Sequence, residues 1–478
     1  MIYYVEAAPQ AQVAPLFSSY AVPGDVDLVL SQEFLELGRM LQAGVAKEGC
    51  TIVANTYRYL GTLEKMPAEG GIYPTGVIKR AAEELASDSY LFHAQDLVVE
   101  AGLSHLSSNA ALLGATVASK SFNLPAEPFE RAIRESEVSV ADNIKAFNLG
   151  YQGMKNGTLP RSQFRETPIL DWEQIAADRQ EKLSPRQAGE YRGLLNEAQS
   201  RLPTALNRTL AEALYRLIDF QHPAYARSYV DRVVAMHAVE QQAPGAADPA
   251  DAVPLTAAYA RWLAEWLTYE DGPRVAQLKT RKSRFAQIRK EHGVKPGDAY
   301  LVEDFLAPDP PQLYGMLPVA MAQLVRSLGH RWRADFDSIS IPMRVATSRV
   351  WGYYTMRMTA GMRRFRLSSY RHQQELILID RWESAVKRWA GRSLVLGSLA
   401  AEAARVIKGY GHVRDKALTD LWIFLDEGLP LLNTLAERGG DVAAAGETAL
   451  ATIAAEAGKG GAGVDSLRKA VAETETAA

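Results

Sequence analysis

Apolar residues come first as short runs and later as stripes at helical spacing. Leu28-Val29-Leu30 is a continuous apolar run behind a Pro23-Gly24-Asp25 turn, the pattern of a strand covered on both faces. Phe34, Leu37, Met40 and Leu41 then recur with the period of an amphipathic helix. Thr51-Ile52-Val53-Ala54, ending in Asn55-Thr56, predicts a second strand, so the segment reads as a βαβ unit. Further strands are expected at Ile2–Val5 and Ser89–Ala94, with Asp96 capping the short helix that follows. Ser107 or Ser108 opens a helix of small residues suited to close packing on a sheet. Helices are also predicted over Phe129–Ile133 and Val140–Tyr151. Residues 155–200 are polar and proline-punctuated, a linker grading into a helix. Beyond them the stripes are helical: Leu210, Leu214, Leu217 and Ile218; Trp262, Leu263, Trp266 and Leu267; Trp382, Val386, Trp389 and Leu394. Arg344–Met358 has β-branched and aromatic residues that admit a small sheet, and from Gly439 onward the Ala/Gly/Glu-rich chain predicts a disordered tail. The expected fold is therefore α/β, with a mostly parallel sheet in residues 1–155. A linker and first helix (156–200), a mainly helical domain (201–438) and the tail (439–478) follow.

Composition narrows the classes. A length of 478 residues exceeds one ordinary hydrophobic core. A net charge of -3 argues against a dedicated nucleic-acid binder. Cys50 is the only cysteine, which excludes internal disulfides, points to a reducing compartment, and cannot by itself hold an iron–sulfur cluster. No run of about 18 apolar residues predicts a membrane span. The start, Met1-Ile2-Tyr3-Tyr4-Val5-Glu6, lacks a signal-peptide core, so the expected location is cytoplasmic.

Candidate chemistry lies at the carboxyl ends of the predicted strands, where parallel sheets bind ligands. Glu33 and Asn55 directly follow consecutive strands, and Asn109 opens a helix whose free N–H groups suit an anion. These three are the expected ligand or subunit crevice; the structural alternative makes the asparagines turn or cap residues. The eight histidines are scattered, with no His-Glu-x-x-His pair or Cys/His cluster, so no metal site is expected. Asp335 and Asp337 read as a solvated turn or a cation site. Lys459-Gly460-Gly461 is only superficially a phosphate loop. The basic segment Lys279–Lys290, with Lys279, Arg281 and Arg284, is expected to face a partner subunit or an acidic electron acceptor. A second basic run, Arg363, Arg364, Arg366 and Arg371, is interleaved with Tyr353, Tyr354 and Phe365. It fits a phosphate site or a charged helix face paired with carboxylates or a partner. Lys408-Gly409-Tyr410-Gly411-His412 reads as a tight turn, either a helix stop or a binding loop.

Taken together, Ile2-Tyr3-Tyr4-Val5, Val22-Pro23-Gly24-Asp25-Val26-Asp27, the two strands, the Asn109-x-x-x-Leu113-Gly114 helix and Asn143–Tyr151 resemble the gamma-type catalytic domain of 2-oxoacid:ferredoxin oxidoreductases. Asp219-Phe220-Gln221-His222-Pro223-Ala224-Tyr225-Ala226, Tyr269-Glu270-Asp271-x-x-Arg274 through Arg281, and Lys408-Gly409-Tyr410-Gly411 resemble the C-terminal extension of bacterial indolepyruvate ferredoxin oxidoreductase beta subunits. The resemblance spans roughly residues 2–430. It implies a Rossmann-like sheet that is incomplete here, because the family's Gly-x-Gly-Gly-Gln-Gly loop and Gln-Arg-Gly-Gly turn are absent; an open strand edge is the expected consequence.

The resemblance further implies oxidative decarboxylation of an arylpyruvate with coenzyme A to an aryl-acetyl-CoA, with electrons passed to ferredoxin. Thiamine diphosphate, Mg and 4Fe-4S clusters are expected in a larger alpha subunit, none of them held by this chain alone. The expected partners are that subunit, ferredoxin, the arylpyruvate and CoA, with no nucleic acid and no membrane. Two other readings stay open: a non-catalytic structural or assembly subunit of such a complex, and a nucleotide-binding α/β protein lacking its glycine fingerprint.

Overall fold

The computed structural model describes residues 3–7, 17–18, 20–58, 75–119, 124–160, 170–245, 253–291, 294, 297–407, 409, 411–455, 458 and 460–477. The chain divides into two compact units. The first comprises residues 1–65, 70–169 and 286–298; the second comprises 66–69, 170–285 and 299–478.

The first unit runs β1 (Val26–Ser31), α1 (Phe34–Gln42), β2 (Ala46–Asn55), α2 (Thr75–Leu85), β3 (Asp88–Phe92), α3 (Ala94–Glu100), α4 (Ser108–Ala118), α5 (Glu127–Glu135) and α6 (Val140–Asn156). The strands form a parallel sheet in the order β1-β2-β3, with Val29 opposite Ile52 and Asn55 opposite Phe92. β2 is central, and its apolar run is buried from Cys50 to Asn55. Its register against β1 shifts between Val26, opposite Ala46, and Leu28, opposite Thr51, and Gly49, at φ 78°, takes a left-handed backbone within that irregular stretch. β1 is an edge strand among the described residues. Leu30 is 45% exposed, which corrects the expectation of a strand covered on both faces.

α1 and α2 bury Phe34, Leu37, Ile78 and Ala82 against one side of the sheet. Leu112 and Ala115 of α4 pack with Val53 and Phe92 in a separate cluster. α4 and α6 approach until backbones touch: a Cβ added at Gly114 would meet the carbonyl of Phe147, and one at Gly150 the carbonyl of Ala111. Residues 3–7 carry no regular structure, against the strand expected at Ile2–Val5, and Ile2 lies outside the described residues. His93, not Asp96, caps α3: its Nδ1 accepts the Asp96 N–H at 3.2 Å. The imidazole comes one residue before the first turn, where the orphan N–H groups point.

The second unit contains α7 (Trp172–Glu181), α8 (Pro185–Arg201), α9 (Asn207–Phe220), α10 (Pro223–Gln241), α11 (Pro254–Leu267), α12 (Gly272–Lys279) and the start of α13 (Lys282–Glu291). It continues with β4 (Glu303–Leu306), α14 (Pro310–Tyr314), α15 (Val319–Trp332), β5 (Met343–Ala346), α16 (Val350–Gly361), α17 (Tyr370–Ala390) and α18 (Leu394–Glu402). α19 (His412–Ile423), α20 (Leu429–Glu437), α21 (Val442–Ala455) and α22 (Gly460–Ala477) complete it. β4 and β5 pair antiparallel, the small sheet admitted by the sequence. The core is one cluster centred on α9, α10, α11 and α17, where Trp382 stacks on Tyr259 at 5.1 Å and meets Trp266 at 5.5 Å.

Two expectations need correction here. The segment read as a linker with one helix holds α7 and α8, each opened by a full capping box, Asp171 with Gln174 and Ser184 with Gln187. Tyr191, Leu194 and Leu195 join the main core. The tail read as disordered forms α21 and α22, burying Leu450, Ile453, Val464 and Leu467. Its small residues allow close packing: Gly446 lies against Leu399, and Gly463 against Ile453.

Candidate functional site

The carboxyl edge of the parallel sheet brings Glu33 and Asn55 to one rim. Asn55 is completely buried at the end of the central strand. Its Nδ2 donates to the Gln32 carbonyl at 3.1 Å and to Gln95 Oε1 at 2.9 Å; its Oδ1 accepts the N–H groups of Tyr57 and Ala94, each at 3.1 Å. One amide thus fastens the loops after β1, β2 and β3 together, with all of its hydrogen-bonding capacity used. Glu33 caps α1, its carboxylate accepting the Glu36 N–H at 2.9 Å. Both residues sit where the sequence places them, and both serve local structure. Tyr57 meets the His93 ring edge-on at 5.7 Å, which completes this rim.

Asn109 lies in the first turn of α4 with its side chain exposed. A 3-10 turn at His105–Ser107 precedes the helix, and the Ser108 N–H is given to the His105 carbonyl, so part of the anticipated anion-binding N–H set is already occupied. Burial pushes the Cys50 thiol above its ordinary range, which disfavours the thiolate needed for metal ligation. No group of three His, Cys, Asp or Glu side chains close enough to hold a metal occurs among the described residues. A cluster needs several thiolates, so the donor set of this chain does not fit an iron–sulfur centre.

In the helical unit, two of the three motif groups meet in one buried ionic knot. α9 ends at Phe220, leaving carbonyls that attract cations. Arg366, with its side chain fully buried, donates to the Phe220 carbonyl and, at 3.0 Å, to Gln221 Oε1. It also grips Asp271 through two bonds of 2.7 and 2.9 Å, and its guanidinium lies 3.8 Å from the Phe220 ring centre. Asp219 takes Arg274 at 2.7 Å and also Arg281. Burial alone would raise the Asp219 carboxyl, but the two arginines outweigh it and hold it below its usual range. His222 caps α10 by accepting the Tyr225 N–H at 3.1 Å. Tyr269 touches His372, whose proton affinity is lowered by burial and then by neighbouring Arg366. Glu375, buried beside them, joins Arg371, Arg414 and the Trp266 indole.

The basic segment is largely committed internally. Lys279 and Arg284 both reach Asp304, at 2.7 and 2.9 Å, while Arg281 pairs with Asp219. The second basic run splits. Arg366 and Arg371 turn inward, while Arg363 and Arg364 join Arg357, Ala360, Gly361 and Gln277 around an open recess of about 430 Å³. The sequence marked this run but not the division, because arginines one and two residues apart on a helical turn face different ways. Glu375, His372 and Arg414 carried no signal: each belongs to an ordinary-looking helix and becomes buried only by tertiary packing.

Asp335 pairs with Arg333, and Asp337 with Arg326 and His330, which is the solvated-turn alternative. In the Lys459-Gly460-Gly461 segment, Lys459 lies outside the described residues. The Gly460 N–H is taken by Asp420 at 2.9 Å, an acceptor from the protein itself. Lys408 and Tyr410 also lie outside the described residues. Gly409 and Gly411 adopt positive φ of 76° and 55°, and Gly411 immediately precedes α19.

Residues 3–153 match the family model described as pyruvate ferredoxin/flavodoxin oxidoreductase. Residues 206–427 match the model of a family of unknown function. No curated protein and no solved structure matches the chain. The first match covers the N-terminal third of the chain and makes that segment similar to the oxidoreductase domain of 2-oxoacid:ferredoxin oxidoreductases. Among the described residues, no helix is long and apolar enough to cross a membrane.

Proposed function

We propose that this chain is the beta subunit of an indolepyruvate-type, arylpyruvate:ferredoxin oxidoreductase. The observation that carries the reading is the match of residues 3–153 to the pyruvate ferredoxin/flavodoxin oxidoreductase domain, joined in one chain to the helical motifs around Asp219–Ala226 and Tyr269–Arg281. In the proposed reaction the C1–C2 bond of the 2-oxoacid breaks, carbon dioxide leaves, and the coenzyme A sulfur bonds to C2. The thiol proton is released and two electrons pass to ferredoxin. Thiamine diphosphate with Mg would stabilise the carbanion and 4Fe-4S clusters would relay the electrons; both are assigned to the larger alpha subunit, in keeping with a donor set that offers one buried thiol.

A second reading, a structural or assembly subunit of the same complex, is favoured by the carboxyl edge itself. Asn55 and Glu33 are both engaged in local caps and clamps rather than held ready for a ligand. Co-expression with a cluster-bearing alpha subunit, followed by CoA-dependent reduction of ferredoxin, tests the proposal. Activity that needs both chains and prefers indolepyruvate over pyruvate by on the order of tenfold in kcat/KM supports it. Full activity of the alpha subunit alone refutes a catalytic role. Activity that needs both chains but survives in proportion to complex yield when Asn55 and Glu33 are replaced favours the assembly reading.

A further inference from the structure

α16 packs on α12 through Met356 and Ala360, yet the opposite side of the helix is strongly apolar and uncovered. Val350 is 68% exposed, Trp351 85%, Tyr354 61% and Met358 76%. Spacings of three and four residues put these side chains on one stripe. They present on the order of 500 Å², comparable to the largest apolar patch of an ordinary monomer. Phe365, 59% exposed, continues the apolar surface along the following 3-10 turn.

Charge sets the occupant. Residues 350–368 hold four arginines and no carboxylate. Arg366 is consumed by Asp271, whereas Arg357, Arg363 and Arg364 line the recess of about 430 Å³ with no acidic side chain among its walls. A second copy docking face to face would set arginine against arginine, which is repulsive in a desolvated contact. An acidic surface would gain both the apolar stripe and charge-assisted pairing. A second uncovered stripe, Met321, Leu324, Leu328 and Trp332 on α15, has nearby Arg326 and His330 paired with Asp337 and Arg333 paired with Asp335, which leaves Arg331 alone beside it against three arginines at the α16 recess.

We propose that α16 and the recess beside it form the docking surface for a protein partner that presents an apolar face ringed by carboxylates. In the complex proposed above this partner is the larger alpha subunit, an assignment that rests on that reading. Trp351 and Met358 are the apolar anchors, and Arg357 and Arg364 pair with the partner's acids.

The test uses the full chain with the co-expressed alpha subunit. Hydrogen exchange should show residues 350–367 protected in the complex. Trp351→Ser should weaken association about thirtyfold, the effect of a buried aromatic hot spot. Arg357→Glu/Arg364→Glu should slow association on the order of tenfold at low salt, with the difference fading at high salt. Unchanged melting of both variants keeps the result specific to binding. If the wild-type complex forms and turns over but the variants assemble normally, this docking surface is wrong while the proposed function stands. If the wild-type chains neither associate nor show joint activity, both fail. Protection of residues 350–367 only on self-association at rising concentration, or only with vesicles of anionic phospholipid, also overturns the inference by naming a different occupant.

Discussion

Replacing Arg366 with Met removes the most heavily used side chain of the helical unit while keeping much of its volume. Lost are two bonds to Asp271 of 2.7 and 2.9 Å, one each to Gln221 and the Phe220 carbonyl, and a cation–π contact at 3.8 Å. Asp271, its side chain 8% exposed, is left as a buried carboxylate with no cationic partner, keeping only the Arg274 N–H at 2.8 Å. Breaking one side of such a pair costs about 3–5 kcal/mol, a large part of the ~5–15 kcal/mol that holds a domain together. All eight tryptophans fall between residues 172 and 422, within the second unit, so their fluorescence reports that unit. With a urea slope of about 3 kcal/mol per molar, the midpoint of the fluorescence transition should drop by about 1 M or more. Asp271→Asn keeps the cap on the Arg274 N–H while removing the charge, so Arg366→Met/Asp271→Asn should recover about 2 kcal/mol relative to the sum of the singles. A loss below about 1 kcal/mol for Arg366→Met, or strict additivity in the double mutant, would refute the ionic knot as a stabilising unit.

Three further outcomes follow from the same structure. Asn55→Ala leaves two N–H groups and two acceptors unpaired at the sheet rim; the first unit should lose about 3 kcal/mol, read as faster amide exchange in β2 and β3, and unchanged exchange would overturn the clamp. Gly114→Ala or Gly150→Ala forces a methyl into a facing carbonyl and should destabilise the first unit by about 2 kcal/mol or more, lowering its circular-dichroism transition while the tryptophan transition stays put. His372 is held neutral by burial and by Arg366, so the unfolded chain takes up its proton first as pH falls. The stability it supports is present above about pH 6.5 and is lost as pH drops below that value, by up to ~1.4 kcal/mol per pH unit. His372→Gln should flatten this slope in urea titrations below about pH 6.5, and an unaltered slope would assign it to another group.

Local chemistry made the α/β beginning and the helical remainder readable from sequence. The Thr51–Ala54 run could only be a buried strand once flanked by turn residues, and the Trp262/Trp266 and Trp382/Trp389 pairs repeat at helical spacing whatever surrounds them. The position of Asn55 at a strand's carboxyl end was also legible, because strand boundaries follow from the apolar run. Its use was not. Whether an asparagine there meets a ligand or fastens three loops depends on where Gln32, Tyr57 and Ala94 arrive, which local sequence does not encode.

The same limit explains the basic runs and the tail. Arg363, Arg364 and Arg366 look alike in sequence; only the placement of the α9 C-terminus and Asp271 draws Arg366 into the core and leaves the other two at the recess. Ala- and Gly-rich helices carry little apolar surface of their own, so composition predicted disorder for residues 439–478. Leu399 and the turn at Gly428, earlier in the chain, instead give Gly446 and Leu467 a surface to pack against. The chain's own order therefore determined which elements form. Long-range packing and desolvated charge decided which of its polar residues hold the fold together and which stay free to meet a partner.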